Sequence, residues 1–392
     1  MLVVAAAAFW MSVAFLLYIY GGYAVLVAMV GRLRGRDVRR GDVIPAATLI
    51  IAAYNEEAVI AERLDNALAM AYPPEQLQII VASDGSSDGT ADVVRRYAGR
   101  GVLLLELPRQ GKIHALDAAV QHATGEILVF SDANTMCGPG AMRALARNFA
   151  DPEVGGVAAH TGYHLTAGSE SSSRGEHLYW HYDTWLKQME SRTGSVVSAH
   201  GGLYAIRKAL YRRCPDASVT DDFALSTAVV EQGYRLVFEA DAHATEDVVP
   251  ETQREFQRRV RLMTRGLRGV VVRRRLLNPF QYGFYAVVLF SHKVARRLAP
   301  AALLVLAASS AVLWNAGPLY EAAAVAQAAF YAVAAVGFFL RRARAGALKV
   351  LFVPFFYCMA NAACALALVQ LLRGQRIVSW QPQRHTPSSR PA

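Results

Sequence analysis

Apolar residues are laid out in two textures along this chain. Long runs without polar interruption cover residues 2–30, 298–314, 319–340 and 347–372. A bilayer core takes about 20 apolar residues of helix. The first, third and fourth runs therefore predict membrane-spanning helices, and the second a marginal one. Residues 280–290 are apolar but fewer, which predicts an interfacial segment rather than a crossing. The first run has no basic leader and is too long for the apolar core of a signal peptide, so it predicts an uncleaved anchor.

Between these runs the period shortens. Aliphatic and β-branched stretches at 48–53, 78–82, 102–106 and 126–130 predict strands, and amphipathic spacing at 57–70, 90–97, 112–123 and 139–149 predicts helices between them. Such alternation implies a largely parallel sheet covered on both faces. Residues 196–198 and 203–206 flank a Gly201-Gly202 turn, and 222–231 predicts a helix closed by Gly233. Ser169, Ser171, Ser172 and Ser173 suggest a mobile loop. Tyr179, Trp180, Tyr182 and Trp185 then follow at helical spacing, as a packing helix would place them. A basic helix with interspersed Leu and Val is predicted at 254–275, suited to an anionic membrane surface. The tail after Gln381 reads as disordered.

Charge refines the picture. The net charge is +10, from 41 Lys and Arg against 31 Asp and Glu, and the positives border the apolar runs. Arg32, Arg34, Arg36, Arg39 and Arg40 follow the first; Arg296 and Arg297 precede the second; Arg341, Arg342 and Arg344 follow the third. Clusters of this kind mark the cytosolic side of a membrane. No nucleic-acid motif accompanies them, so nucleic acid is not the expected partner. None of the four cysteines lies in a Cys-X-X-Cys pair, which argues against zinc and against a disulfide framework.

Three polar signatures end predicted strands: Ala53-Tyr54-Asn55-Glu56, Ser83-Asp84-Gly85-Ser86 and Ser131-Asp132-Ala133-Asn134. Open α/β sheets bind ligands beyond the carboxyl ends of their strands, so the three converge on one crevice, in the layout of a nucleotide-sugar site. A dinucleotide fold is excluded by the lack of a Gly-X-Gly-X-X-Gly, and Gly111-Lys112, followed by Ile113, is not a P-loop. Asp84 can accept hydrogen bonds from a uracil imide or ribose hydroxyls, or simply cap a turn. Asp132 and Asn134, two oxygen-bearing side chains at i and i+2, could hold Mg²⁺ or Mn²⁺. Capping before Pro139 is the alternative for Asn134. Asp221-Asp222 opens a helix, where one acid suffices for capping and the other is left to act as a general base. Lys112 and the set Arg258, Arg259, Arg261 and Arg265 could bind a diphosphate, or face solvent and headgroups.

These motifs together resemble the membrane-embedded family 2 glycosyltransferases, which include hyaluronan, cellulose and poly-N-acetylglucosamine synthases. The likeness covers residues 48–266 and extends to the flanking helices. It rests on Tyr54-Asn55-Glu56, Asp84-Gly85-Ser86, Gly111-Lys112 before Ala115-Leu116-Asp117, Asp132-Ala133-Asn134 and Thr220-Asp221-Asp222. The resemblance implies a GT-A-type nucleotide-sugar domain with a mixed, mainly parallel α/β sheet. It also implies a UDP-sugar donor held by Ala53 to Glu56, Asp84, Lys112, Asp132, Arg259 and Arg261, with Mg²⁺ or Mn²⁺ at Asp132 and Asn134. Asp222 is then the catalytic base beside Asp221, and Gly201 and Gly202 lie on the acceptor side. Where processive members carry Gln-X-X-Arg-Trp, this chain reads Arg258-Arg259-Val260-Arg261-Leu262; the arginine is kept, the glutamine and tryptophan are not. Trp380, in Ser-Trp-Gln-Pro-Gln-Arg, resembles a further family element.

The resulting expectation is an anchor at 1–31, a cytoplasmic transferase domain at 32–275, and an interfacial helix, membrane helices and tail at 276–392. The chain would sit in a bacterial cytoplasmic membrane and transfer a sugar with inversion to a polysaccharide or lipid-linked acceptor, with secretion proteins as further partners. The alternatives are a single-transfer enzyme acting on polyprenyl phosphate or a glycolipid, and a catalytically silent scaffold of a secretion complex.

Overall fold

The computed structural model describes residues 1–165, 173–248, 252–341 and 348–377, and their side chains except at 163–181 and 247–255. The serine-rich stretch at 169–172, the rings of Tyr179 and Trp180, and Arg342, Arg344, Trp380 and the tail lie outside the described residues. The chain forms two compact units. One is built from residues 27–250 and 272–288, the other from 1–26, 251–271 and 289–377. These divisions differ from the boundaries at 32 and 275: the basic helix Thr252–Val272 groups with the apolar helices.

The first unit is an eight-stranded sheet. Its strands are β1 (Ala47–Ala53), β2 (Leu77–Asp84), β3 (Val102–Leu107), β4 (Ile127–Asp132), β5 (Thr135–Cys137), β6 (Val154–Leu165), β7 (Leu203–Arg207) and β8 (Arg235–Val248), in the spatial order β3-β2-β1-β4-β7-β6-β8-β5. The pairs among β1 to β4 are parallel, as expected. β7 then runs antiparallel to both β4 and β6, and β5 antiparallel to β8, so the sheet is mixed. Every residue of β1 is buried, as befits a parallel strand covered on both faces. The helix Glu57–Leu68 buries Ile60, Arg63, Leu64 and Ala67, the i, i+3, i+4, i+7 stripe of an amphipathic helix, though one member is an arginine.

Three strands went unpredicted: β5, β6 and β8. The last two are the longest of the sheet and pair along most of their length, with a register shift between Ala159 and His160.

The second unit is helical. Among the described residues, four helices are long and apolar enough to cross a membrane: Leu2–Leu33, Phe284–Val312, Pro318–Leu340 and Lys349–Leu372. The first passes through a π-turn at Tyr18–Gly22. The apolar segment at 280–290 is not a separate interfacial element over its whole length, as the sequence suggested. From Phe284 it runs through the π-turn Phe290–Val294 and the 3-10 turn Ala295–Leu298 into Ala299–Val312, making the second stretch far longer than its apolar run. Polar side chains meet within this unit, Tyr18 with Ser291 at 2.6 Å and Tyr20 with Tyr357 at 2.8 Å.

Candidate active site

The crevice is built at the carboxyl ends of β1, β2 and β4. After Ala53, the chain turns at Asn55, which holds φ at +52°, the left-handed region in which Asn is among the more tolerated side chains. The turn is locked to the loop beyond β2. Asn55 Oδ1 accepts from the Ser87 amide at 2.8 Å, its own amide donates to Ser86 Oγ at 3.1 Å, and the Glu56 amide donates to Thr90 Oγ1 at 2.8 Å. Glu56 is buried and Tyr54 half-buried.

Asp84 ends β2 and is 1% exposed. Its carboxylate accepts the Gln110 amide at 2.8 Å and the Gly111 amide at 2.9 Å, and pairs with Arg109. Arg109 in turn lies over the Tyr54 ring at 3.4 Å. The loop comes so close that a Cβ on Gly85, at φ +66°, would stand 2.8 Å from the Arg109 amide; only glycine fits. Asp84 thus fastens the segment 109–111, and through it the start of the helix Lys112–His122.

Lys112, at the first position of that helix, is 9% exposed and bridges two acids: Asp132 at 2.6 Å and Asp221 at 2.8 Å. Burial works against its charge, but the two carboxylates outweigh burial and raise its pKa above the ordinary lysine range, so it stays cationic. For Asp132, burial together with Glu246 and Asp221 outweighs Lys112 and pushes the pKa up to about 6.

Asp221 and Asp222 lie in the first turn of the helix Asp221–Glu231, where the helix dipole favours negative charge. The N-cap, Thr220, makes no side-chain cap bond. Asp221 is spent on Lys112, while Asp222 Oδ1 accepts the Phe223 amide at 2.7 Å. Asp222 Oδ2 has no hydrogen-bond partner among the described residues. It faces Gly201: a Cβ there would lie 4.0 Å from Asp222 Oδ2, 3.4 Å from Asp132 Oδ2 and 4.0 Å from Lys112 Nζ. Asp132, Asp222, Lys112 and Gly201 therefore surround one small space. Ser226 ties the parts together, donating to the Asp222 carbonyl at 2.6 Å and accepting from the Ala199 amide at 3.0 Å.

Among the described residues no three His, Cys, Asp or Glu side chains converge as a metal cage. What remains is Asp132 Oδ2 on the open side and the Asn134 amide, which makes no hydrogen bond among the described residues. One carboxylate and one amide oxygen, with phosphate oxygens supplying the rest, suit Mg²⁺ or Mn²⁺, whose sites commonly draw on substrate phosphates.

The arrangement also depends on residues that sequence reasoning missed. Glu246, buried on β8, accepts from Thr135 Oγ1 at 3.1 Å and stands 2.5 Å from where a Gly202 Cβ would be, so Gly202 is needed for close approach. Tyr204, fully buried, stacks on Phe130 at 5.0 Å with its hydroxyl unpartnered; burial and the nearby Asp221 and Asp222 raise its pKa. Arg63 donates to Ser131 Oγ at 3.2 Å, and Ser131 donates to the Gly202 carbonyl at 2.9 Å. Asp117, the last residue of the Ala115-Leu116-Asp117 motif, holds the loop before the helix Asp221–Glu231, accepting from Tyr211 and pairing with Arg213 at 2.8 Å.

Arg259 and Arg261 are in the other unit, on the helix Thr252–Val272. Two residues apart, they are turned about 200° from each other and cannot grip one phosphate side by side. Arg261 makes no hydrogen bond or ion pair among the described residues, and burial beside Arg265 and Arg258 lowers its pKa. Leu262, at the place of the processive tryptophan, is 45% exposed.

A family model described as "Glycosyltransferase like family 2" matches residues 45–269. A probable glycosyltransferase of Bacillus subtilis (strain 168), YdaM, is 24% identical over 267 residues, which is 63% of each chain. A poly-beta-1,6-N-acetyl-D-glucosamine synthase of Staphylococcus aureus (strain COL) is 27% identical over 220 residues, 54% of this chain and 52% of that one. The matched region thus spans less than two thirds of either relative. The solved mannosyltransferase PcManGT from Pyrobaculum calidifontis, in complex with GDP-Man and Mn²⁺, has a TM-score of 0.69 at 24% identity, over 94% of this chain and 100% of that one. That likeness supports the GT-A-type architecture of the mixed sheet. With the family model covering more than half of the sequence, the chain belongs to the glycosyltransferase-like family 2.

Proposed function

We propose that the chain transfers a sugar, with inversion, from a UDP-sugar to a polysaccharide or lipid-linked acceptor at a cytoplasmic membrane. The observation that carries this reading is the free Oδ2 of Asp222, opposed to Asp132 and Lys112 across the Cβ-less face of Gly201. Asp222 removes the proton of an acceptor hydroxyl. The oxygen attacks the anomeric carbon as the bond from that carbon to the diphosphate oxygen breaks, and the nucleoside diphosphate leaves. Asp132 Oδ2 and Asn134 are the oxygens that would hold Mg²⁺ or Mn²⁺, which when bound offsets the charge building on the diphosphate. Lys112 fixes Asp132 and Asp221 in place, so that the acids need not reorganise as charge develops. Tyr54, Asn55, Glu56 and Asp84 are read as the nucleotide end, and Arg261 as a phosphate ligand by its motif.

Asp222→Asn tests the reading. Metal-dependent release of UDP should fall by about 10²–10⁴-fold, the usual share of a general base, with the melting temperature unchanged. Undiminished turnover would sink the assignment. A panel of UDP- and GDP-sugars identifies the donor.

The exposed Leu262 favours a second reading, single transfer to a lipid-linked acceptor, because an aliphatic side chain offers no stacking face to a growing sugar chain. Partition of labelled product into butanol supports single transfer; product of high mass in the aqueous phase supports polymerisation. Silence with every nucleotide sugar would instead favour the scaffold.

A further inference from the structure

Four carboxylates gather about the Gly201-Gly202 turn. Asp132 Oδ2 and Asp222 Oδ2 stand 3.4 and 4.0 Å from where a Gly201 Cβ would be. Asp221 is joined to Asp132 through the Lys112 ammonium, at 2.8 and 2.6 Å from it. The fourth is Glu246, whose Oε1 lies 2.5 Å from the place of a Gly202 Cβ. It comes from β8, a strand that carries none of the acids assigned to the reaction. Glu246 is 7% exposed and Asp221 8%, so this negative charge is held largely out of water. Like charges gathered in such a place repel, and a bound divalent cation reverses that cost.

Glu246 is tied to the candidate metal oxygens by the backbone as well as by charge. β5 pairs antiparallel with β8, and Thr135, the residue after Asn134, stands opposite Glu246. Thr135 Oγ1 donates to Glu246 Oε1 at 3.1 Å, which fixes the carboxylate to the turn that bears Asp132 and Asn134. Among the charges that act on Asp132, Glu246 weighs more than Asp221. On the same face, Thr161 Oγ1 is 3.3 Å from the Gly202 Cβ position, buried and without a partner among the described residues. Bound Mg²⁺ keeps several waters, and a buried hydroxyl with an unused hydrogen bond can take one.

Asn134 offers an oxygen but no charge. The affinity of an oxygen site for a hard divalent cation rises with the charge of its ligands, so Asp132 and an amide alone make a weak site. We propose that Glu246 supplies the missing charge from outside the ligand set: it strengthens the metal site electrostatically, with Thr161 at the hydration shell, and does not itself ligate. This rests on the reading of Asp132 and Asn134 as the metal oxygens.

The test is Mn²⁺ binding by the full chain in neutral detergent, without nucleotide, read from the EPR signal of free Mn²⁺. Glu246→Gln keeps an acceptor for Thr135 and removes the charge. It should raise the Kd for Mn²⁺ by about tenfold, the lower end for partners beyond the ligands, with the melting temperature of the metal-free chain not lowered. Thr135→Val keeps the charge and removes the hydrogen bond, and should bind Mn²⁺ as the wild type does. Asn134→Asp added to Glu246→Gln returns a charge beside Asp132 and should recover the affinity. An unchanged Kd in Glu246→Gln, an equal loss in Thr135→Val, or no recovery in the double variant overturns the proposal, as does a wild-type chain that binds no Mn²⁺. If Glu246→Gln does not fold, Glu246→Asp withdraws the carboxylate by one methylene and should weaken binding too; unaltered binding there overturns it as well. No nucleotide sugar enters this assay. A chain that shows these differences yet never transfers sugar breaks the proposed function and leaves Glu246 its role. A chain that transfers sugar while Glu246→Gln binds Mn²⁺ unaltered does the reverse.

Discussion

At position 63 an arginine stands on the apolar stripe of Glu57–Leu68, fully buried, with no carboxylate pairing it among the described residues. Its guanidinium bonds Asn66 Oδ1 at 3.2 Å and Ser131 Oγ, and burial lowers its pKa. Asn66 meanwhile holds both backbone groups of Cys137, at 2.9 Å each. Together they brace the turn that carries Asp132 and Asn134 and, through Ser131, the Gly202 carbonyl. We predict that Arg63→Met leaves the melting temperature level or higher, because removing an uncompensated buried charge can be neutral or stabilising. It should nonetheless lower kcat about tenfold at nearly constant KM, as expected when only transition-state alignment is lost. A fall in melting temperature with kcat intact would make Arg63 structural. The acids at 84, 132 and 221–222 were legible because each interrupts an apolar run at a strand end or a helix start. Arg63, Tyr204 and Glu246 were not: the first two stand inside stretches whose period says core, Glu246 in one that showed no strand period, and only the tertiary fold aims these polar atoms at the site.

Among the elements, the parallel strands β1 to β4 were readable from contiguous aliphatic runs, and β6 and β8 were not. β6 opens on Gly155-Gly156 and carries Gly162. The end of β8 does alternate, with Ala242, Ala244 and Glu246 buried; alanine and glutamate are poor strand formers and hide the period. What holds β8 instead is Glu239, 1% exposed. It accepts from Arg147 at 2.8 and 3.0 Å and from Asn148 at 2.9 Å, and pairs with Arg40 at 3.1 Å. Burial alone would raise the Glu239 pKa, but the bonds from Arg147 and Asn148 outweigh it and leave it lowered. A carboxylate whose folded pKa lies below its unfolded value of about 4.3 stabilises the fold above that value and loses the contribution as pH falls through the folded pKa. Chemical denaturation below about pH 4.3 should show this loss, and Glu239→Gln should flatten it. At neutral pH that variant should cost about 3 kcal/mol, the lower end for breaking a buried pair, since Arg147 keeps a third of its side chain in solvent. An unaltered acid limb would refute the linkage.

For the whole molecule, if all four candidate spans among the described residues cross, the chain between the first and second spans and the chain after the fourth emerge on opposite sides. In that order of crossings the uncharged loop Leu313–Gly317 would face the other side and the arginines at 341, 342 and 344 in the sequence would return to the side of Arg32 to Arg40, as the proposed cytosolic transferase requires. Arg373 and Arg376 oppose this order. The apolar runs were plain in the sequence; that 284–290 and 298–312 make one helix was not, because His292, Lys293, Arg296 and Arg297 interrupt them. Protease added to intact spheroplasts should remove a C-terminal tag and spare residues 34–283. A protected tag would mean that one of the four helices does not cross.

The segment 109–112 has a bearing on what substitutions this chain can tolerate. Asp84 grips the amides of residues 110 and 111, and the next residue, Lys112, is the one that spans Asp132 and Asp221. No slack residue separates the two anchors. Single-residue insertions after Gly111 would rotate the helix start by about 100° and withdraw the ammonium from both acids. In a library of insertions and deletions this stretch should read as a ruler of fixed length, intolerant of added residues even where side-chain exchange is permitted.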